Sequence, residues 1–132
     1  MNRHVSRMLK KKIALVGSAD NDKPSIKAML VSRREGDNIF YFDSNNSSQS
    51  VARWNKNPNA CVYFCSRLIY RGVMLSGTME IVNDIETKKL HWKPSMKSVY
   101  KCGVTDPDYC ILKFTAIAGR HYFMFNTEDF VL

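Results

Sequence analysis

The apolar run Ile39-Phe40-Tyr41-Phe42 passes directly into Asp43-Ser44-Asn45-Asn46-Ser47-Ser48 and then into Gln49-Ser50-Val51-Ala52-Arg53-Trp54. That order demands a strand, a polar turn and a helix in succession. Four apolar or aromatic residues without alternation suit a central strand covered on both faces. Ser47 or Ser48 suits the N-cap of a helix that carries Val51 and Trp54 inward and Arg53 and Lys56 outward, ending at Asn57-Pro58. Such a junction can hold a phosphate, because hydroxyl and amide donors meet the unpaired N–H groups and the positive dipole end of a helix. An ordinary capped helix looks the same in sequence, so the rest of the chain must decide.

The chain of 132 residues is long enough for one core, so residues 1–132 are read as a single domain. With 20 Lys and Arg against 12 Asp and Glu, the net charge of +8 attracts anions: nucleic acid, a phosphorylated cofactor or an acidic membrane surface. No apolar run approaches the ~20 residues of a membrane span. The basic start lacks the apolar core of a signal peptide. A soluble, cytoplasmic protein with no membrane partner is expected. Cys61, Cys65, Cys102 and Cys110 have neither metal-binding spacing nor the density of a disulfide-stapled domain, and read as reduced thiols with no metal site.

Residues 3–12 space Val5, Met8 and Leu9 as a short amphipathic helix. Residues 13–17 form a strand, residues 19–24 a hairpin connection, and residues 25–31 a second strand. That second strand sets Ile26, Ala28 and Leu30 on one face and Lys27, Met29 and Val31 on the other. A polar turn over 33–37 leads to the strand at 38–43. Beyond the helix, residues 59–66 and 71–82 are strands, the second long, with Gly72 and Gly77 marking a bend or bulge. Asp84 caps a helix over 85–92 that Pro94 stops, and residues 95–100 add a helical turn. Residues 109–117 and 120–125 form a closing hairpin around Ala118-Gly119. About six antiparallel strands with helices between them make a small β-barrel with helical decoration.

The ordered segments Pro24–Met29, Phe42–Ser48, Asn57–Phe64, Gly72–Glu80, Leu90-His91-Trp92 and Gly103–Tyr109 give the chain a family resemblance over residues 14–122. It resembles the FMN-binding split-barrel proteins related to pyridoxamine 5'-phosphate oxidase, in particular the short general-stress-protein branch. The resemblance implies a mainly β fold, a six-stranded antiparallel Greek-key split β-barrel, forming a homodimer with FMN bound non-covalently at the interface. It lays the second strand along the flavin, with Lys27 where the family has a phosphate-holding Arg, followed by Ala28, Met29 and Leu30. It puts Asp43, Ser44, Ser47, Ser48 and Gln49 in the site, and Ser50 where a Lys or Arg would stand. Trp92 matches a position brought toward the flavin from the partner subunit. Lys27 keeps the charge but not the fork of an Arg. Ser50 removes a charge-assisted bond worth about 1.5–3 kcal/mol, for which Arg53 one turn on is the candidate substitute.

The function implied is that of a flavoprotein, an oxidoreductase or reductase of unknown substrate with a stress-related setting, and with NAD(P)H as a candidate electron donor. No side chain declares itself an acid, base or nucleophile, and His91 and His121 read as satisfied or surface histidines. The chain ends at Leu132 without the extension that helps build the substrate pocket of true pyridoxamine phosphate oxidases, so that oxidation is not expected. Two other readings stand beside this one. A basic barrel could bind nucleic acid, although its basic residues are scattered and Phe40, Tyr41 and Phe42 lie in a core strand. A split barrel that has lost flavin could bind haem or another ligand.

Overall fold

The structure is a computed structural model that describes residues 1–132. Strand β1 (Ile13–Asp20) turns at Asn21, whose φ of 52° is the left-handed conformation Asn tolerates, into the antiparallel β2 (Lys23–Glu35). Gly36, with φ of 60°, reverses the chain into β3 (Ile39–Asn45). Helix α2 (Gln49–Lys56) then crosses to β4 (Asn59–Cys65), which pairs with β1 rather than β3. A fourth strand returning beside the first is a Greek key. Strands β5 (Arg71–Val82) and β6 (Tyr109–Phe123) continue the meander, and β6 pairs with β3, so six strands close into a ring.

Phe40, Phe42, Phe64 and Phe114 point into that ring and are wholly buried, with Phe40 tilted at 5.6 Å from Phe64 and 6.3 Å from Phe114. Each such ring contributes about 1.5–3 kcal/mol through burial. Val5, Met8 and Leu9 join this core from α1 (Arg3–Met8) and the residue that follows it, and Val51 and Trp54 from α2. Tyr41, between the two core phenylalanines, is also buried, because a second cluster of Tyr100, Tyr109 and Ile111 covers the other face of β3. The unalternating run in β3 is thus explained by packing on both sides. Helix α3 (Ile85–His91) starts at its expected cap, where Asp84 accepts from the Thr87 N–H at 2.9 Å, and the following short turns cover this outer cluster.

Three expectations change. The polar residues 33–35 extend β2 instead of turning, because Arg34 caps the end of α1: its Nε donates to the Leu9 carbonyl at 2.6 Å and Nη2 donates to Lys11. The first helix accordingly stops at Met8, leaving Lys10 to Lys12 outside it. Ala118-Gly119 is not a turn. β6 runs straight through it, and the reversal comes at Met124 (φ 55°), leading to a seventh strand, β7 (Asn126–Val131), outside the ring. Gly119 is present for proximity: a Cβ there would lie 2.3 Å from the Phe130 ring of β7. The expected irregularity of β5 is found at Ser76/Gly77, but the extra residue is Ile117 on β6, since Ser76 pairs with Ala118 and Gly77 with Ala116; a Gly77 Cβ would lie 2.0 Å from the Thr115 carbonyl.

Candidate functional site

Strands β2 and β3 part beyond Val31. They pair from Glu35 to Val31 with an irregular register at Ser32, and past Val31 β2 pairs only with β1 while β3 pairs only with β6. The barrel is therefore split along residues 23–30 of β2. Residues of an antiparallel strand direct their N–H and C=O alternately to the two sides. Val31 donates to Lys12 on the β1 side at 2.7 Å. Counting back by twos, Lys27 and Met29 face β1 with their backbones, and Ala28 and Leu30 turn theirs to the open seam.

A groove of about 430 Å³ occupies the seam. Lys27, Ala28, Met29 and Leu30 form one wall, and Asp43, Ser44 and Asn45 at the end of β3 the other. Ser48 at the start of α2 and Tyr100 complete the lining. Seven of the residues singled out from sequence thus meet around one space: Lys27, Ala28, Met29, Leu30, Asp43, Ser44 and Ser48. Ser47, Gln49, Ser50 and Trp92 do not line it.

Each of those four has a visible occupation or address. Ser47 is a tether: its N–H and Oγ both donate to the Asp108 carboxylate, at 2.8 and 3.0 Å. Beside it, the Asn46 amide donates to Asn83 and to the Pro107 carbonyl. These bonds pin the loop that aims α2 at the groove. Gln49 is exposed at the first turn. Ser50 is buried and turned toward β1, where Arg53 reaches it at 3.5 Å and donates to Ser18 at 2.9 Å. Arg53 is therefore held on the β1 side. Trp92 packs edge-on against Tyr109 at 5.3 Å and lies 6.3 Å from Tyr100, a layer behind the groove wall in the same chain.

The groove has a positive end and a hydrogen-bonding middle. Lys27 has no ion-pair partner, the one salt bridge of the chain being Arg120–Asp129 at 2.6 Å. Ser48 accepts from the Val51 N–H at 3.1 Å, which leaves its own hydroxyl hydrogen to donate. The N–H groups of Gln49 and Ser50 precede the first helical bond, from Ala52 to Ser48, and add the helix dipole. Asp43 accepts from Tyr109 at 3.0 Å, and burial raises its pKa against the lowering pull of that bond and of His91 and Lys93. Tyr100 donates to the Ser44 carbonyl at 3.1 Å and to the Asn45 side chain, and burial pushes its pKa up to about 12, so it stays a phenol. His91 stacks at 4.8 Å on Tyr41, buried, with burial lowering its pKa.

Sequence reasoning missed Asn45 and Tyr100. Asn45 lay within the polar run already singled out. Tyr100 carried no local signal, since only tertiary packing brings it to Ser44. A larger cavity of about 520 Å³ lies where Gly17, Ala19, Pro24 and Ile26 meet Ala60 and Cys61. It is lined by no charged side chain, so a phosphorylated ligand has no counter-charge there.

A barrel opened along one seam, with a free strand edge facing a helix N-terminus and one unpaired lysine, defines a split-barrel protein. The sequence model of the pyridoxamine 5'-phosphate oxidase like family matches residues 1–127. The chain belongs to that family. It is 34% identical to a Clostridium acetobutylicum protein described as related to general stress protein 26 of B. subtilis, of the pyridoxinephosphate oxidase family. That match covers 98% of this chain and 91% of the other with a TM-score of 0.83. General stress protein 26 of Bacillus anthracis shares the fold at 20% identity, with 98% and 97% covered and a TM-score of 0.78. So does a heme binding protein from Mycobacterium smegmatis, at 10% identity, with 96% and 56% covered and a TM-score of 0.73. No curated protein sequence matches the chain. No helix is long and apolar enough to cross a membrane.

Proposed function

We propose that the chain binds FMN non-covalently in the seam groove, works as a homodimer, and acts as an oxidoreductase on a substrate yet to be identified, with NAD(P)H as the candidate electron donor. The observation that carries this is the free β2 edge at Ala28 and Leu30, with Lys27 and the α2 N-terminus around the same groove. A flavin needs both halves: an apolar wall with strand N–H and C=O groups for the ring edge, and a cation with hydroxyl and N–H donors for the phosphate.

In that complex Lys27 balances the phosphate, and Ser48 with the first N–H groups of α2 donates to it. Met29 and Leu30, whose side chains leave opposite faces of β2, shield the ring edge from water. Asp43 and Asn45 offer acceptors to the ribityl hydroxyls, and Tyr100 fixes Asn45 by its hydrogen bond. Bound FMN would supply the hydride or one-electron chemistry. The apolar residues Ile13, Ile26 and Leu30, more than 60% exposed on the outer face of β1 and β2, offer the surface for a second copy.

Titration with FMN, read by flavin fluorescence and thermal shift, tests the reading. Lys27→Ala should weaken binding about tenfold, the loss of one charge-assisted contact, and more than Ser48→Ala does. A larger effect of Ser48→Ala would overturn the assignment of Lys27 as the charge partner. Absence of any FMN-dependent change would remove the flavin altogether. The heme-binding relative in fold makes haem the second occupant to examine, and the visible spectrum of the protein as purified separates the two. Phe40, Tyr41 and Phe42 are buried, which leaves a nucleic acid no stacking row on that strand.

A further inference from the structure

The far end of β6 from the groove holds a second polar cavity. Tyr109, paired with the groove residue Asn45, and His121 are separated by roughly 40 Å of strand at the usual rise per residue. Around His121 lies a cavity of about 310 Å³ lined by Asn2 and His4 of the N-terminal segment, Arg71 of β5, Phe123 of β6, and the Asn126–Glu128 stretch of β7. Its chemistry is one-sided. Arg71, His4 and His121 face it, with Arg3 and Arg7 on the same helix as His4, and Glu128 is the single acid.

Two nitrogen atoms of residues lining this cavity have no hydrogen-bond partner. His121 is 6% exposed and its Nε2 has no partner, and the Nε of Arg71 is buried without one. Buried polar atoms are nearly always paired, so an orphaned Arg71 N–H, an obligate donor, together with an orphaned His121 nitrogen that is able to donate, on residues lining one cavity, calls for an acceptor there. The guanidinium is already oriented: it stacks at 4.0 Å on the Phe123 ring and donates to His4 Nδ1 at 2.8 Å. That bond requires His4 to be neutral, with its proton on Nε2, where it adds another N–H donor. The arrangement does not suit a cation, because an arginine lines it and no group of three His, Cys, Asp or Glu side chains that could hold a metal ion is present.

We propose that this cavity is an oxyanion-binding site, separate from the seam groove, that takes a phosphate or carboxylate group between Arg71 and His121. The planar fork of Arg71 matches the oxygens of either group. The His121 imidazole closes one side and His4 the other. Glu128 is exposed at the rim, where its charge is screened by solvent and weakens the field without filling the site.

The chain has three histidines, and their imidazole proton resonances separate this cavity from the rest of the molecule. His4 and His121 line the proposed site, while His91 lies behind Tyr41. Inorganic phosphate and, in a second arm, succinate are titrated into the full chain saturated with FMN. The expected result is that one or both move the His4 and His121 signals and leave His91 in place, and the stronger arm names the ligand class. Arg71→Gln should weaken this binding about tenfold, Glu128→Gln should tighten it, and Lys27→Ala should leave it unchanged. If Arg71→Gln fails to fold by thermal melt, His121→Gln is read in its place with the same expected loss. Stationary His4 and His121 signals at millimolar anion, or binding that survives these substitutions, would overturn the proposal. Because Lys27→Ala affects only the groove, failure of the FMN reading would leave this test standing, with the titration run on the chain alone.

Discussion

A single carboxylate decides how the groove responds to pH. Burial raises the pKa of Asp43, so the folded state disfavours the charged form. The sign follows: between the ordinary carboxylate value and the raised one, the folded chain binds more protons than the unfolded, and stability falls as pH rises through that window. Asp43→Asn keeps an acceptor for the Tyr109 hydroxyl and removes the buried charge. Its melting temperature should exceed that of the parent near neutrality, and the difference should vanish below about pH 4, where both side chains are neutral. An equal difference at both pH values would show that the charge is not the cause. The glycines divide in a similar way. A Cβ on Gly77 meets the Thr115 backbone carbonyl, which cannot withdraw, whereas one on Gly72 meets only the end of the Tyr63 side chain. Gly77→Ala should therefore cost about 3 kcal/mol in chemical denaturation, at the upper end for overpacking, and Gly72→Ala clearly less. Sequence showed both as possible bulge sites and could not rank them, because the obstructing atoms belong to residues far along the chain.

Elements whose signals are local were readable, and those defined by distant partners were not. Asp84 caps α3 as its spacing implied, and Ser48, one of the two serines offered by the sequence, caps α2, since an N-cap bonds within its own first turn. The apolar run of β3 revealed that both its faces are covered. By contrast, β2 outlasts its apolar pattern because Arg34 is needed at the end of α1, and Ala118-Gly119 resembles a turn only while Phe130 is out of view. The same division applies to the groove. Its β2 and β3 walls came from consecutive residues, while Tyr100 arrives from a segment with no pattern, and Arg53, expected on the outward face of α2, instead bonds Ser50 and Ser18 on the β1 side. At this scale Ser48→Ala should destabilise the chain by about 1 kcal/mol, the usual worth of a cap. Ser47→Ala should leave the helix capped but loosen its aim, since it breaks one of two bonds to Asp108. Faster amide exchange at residues 45–49 with little change in global melting would be its signature, and a purely global loss of stability would count against the tether.

The whole molecule carries an asymmetry that a single chain does not explain. Core-forming residues fill the inside of the ring, yet Ile13 and Leu30 face each other across β1–β2 on the outside at 62% exposure, with Ile26 at 66% on the same face. The register places Leu15, Ala28 and Tyr63 between them, so the apolar surface is continuous across three strands. It also borders the groove, because Ala28 and Leu30 belong to both. A second copy seated there would bury this face and shield the open side of the seam in one step, which couples assembly to ligand binding. Ile13→Asp tests that coupling better than a change within the groove, since it puts a charge on the outer face while leaving Lys27, Leu30, Ser48 and α2 in place. Sedimentation should show the parent as a dimer and the variant as a monomer. FMN affinity should fall with the loss of the dimer and recover in the parent as protein concentration rises, as mass action requires. A folded monomeric variant that binds FMN as tightly as the dimer would show the groove to be complete in one chain.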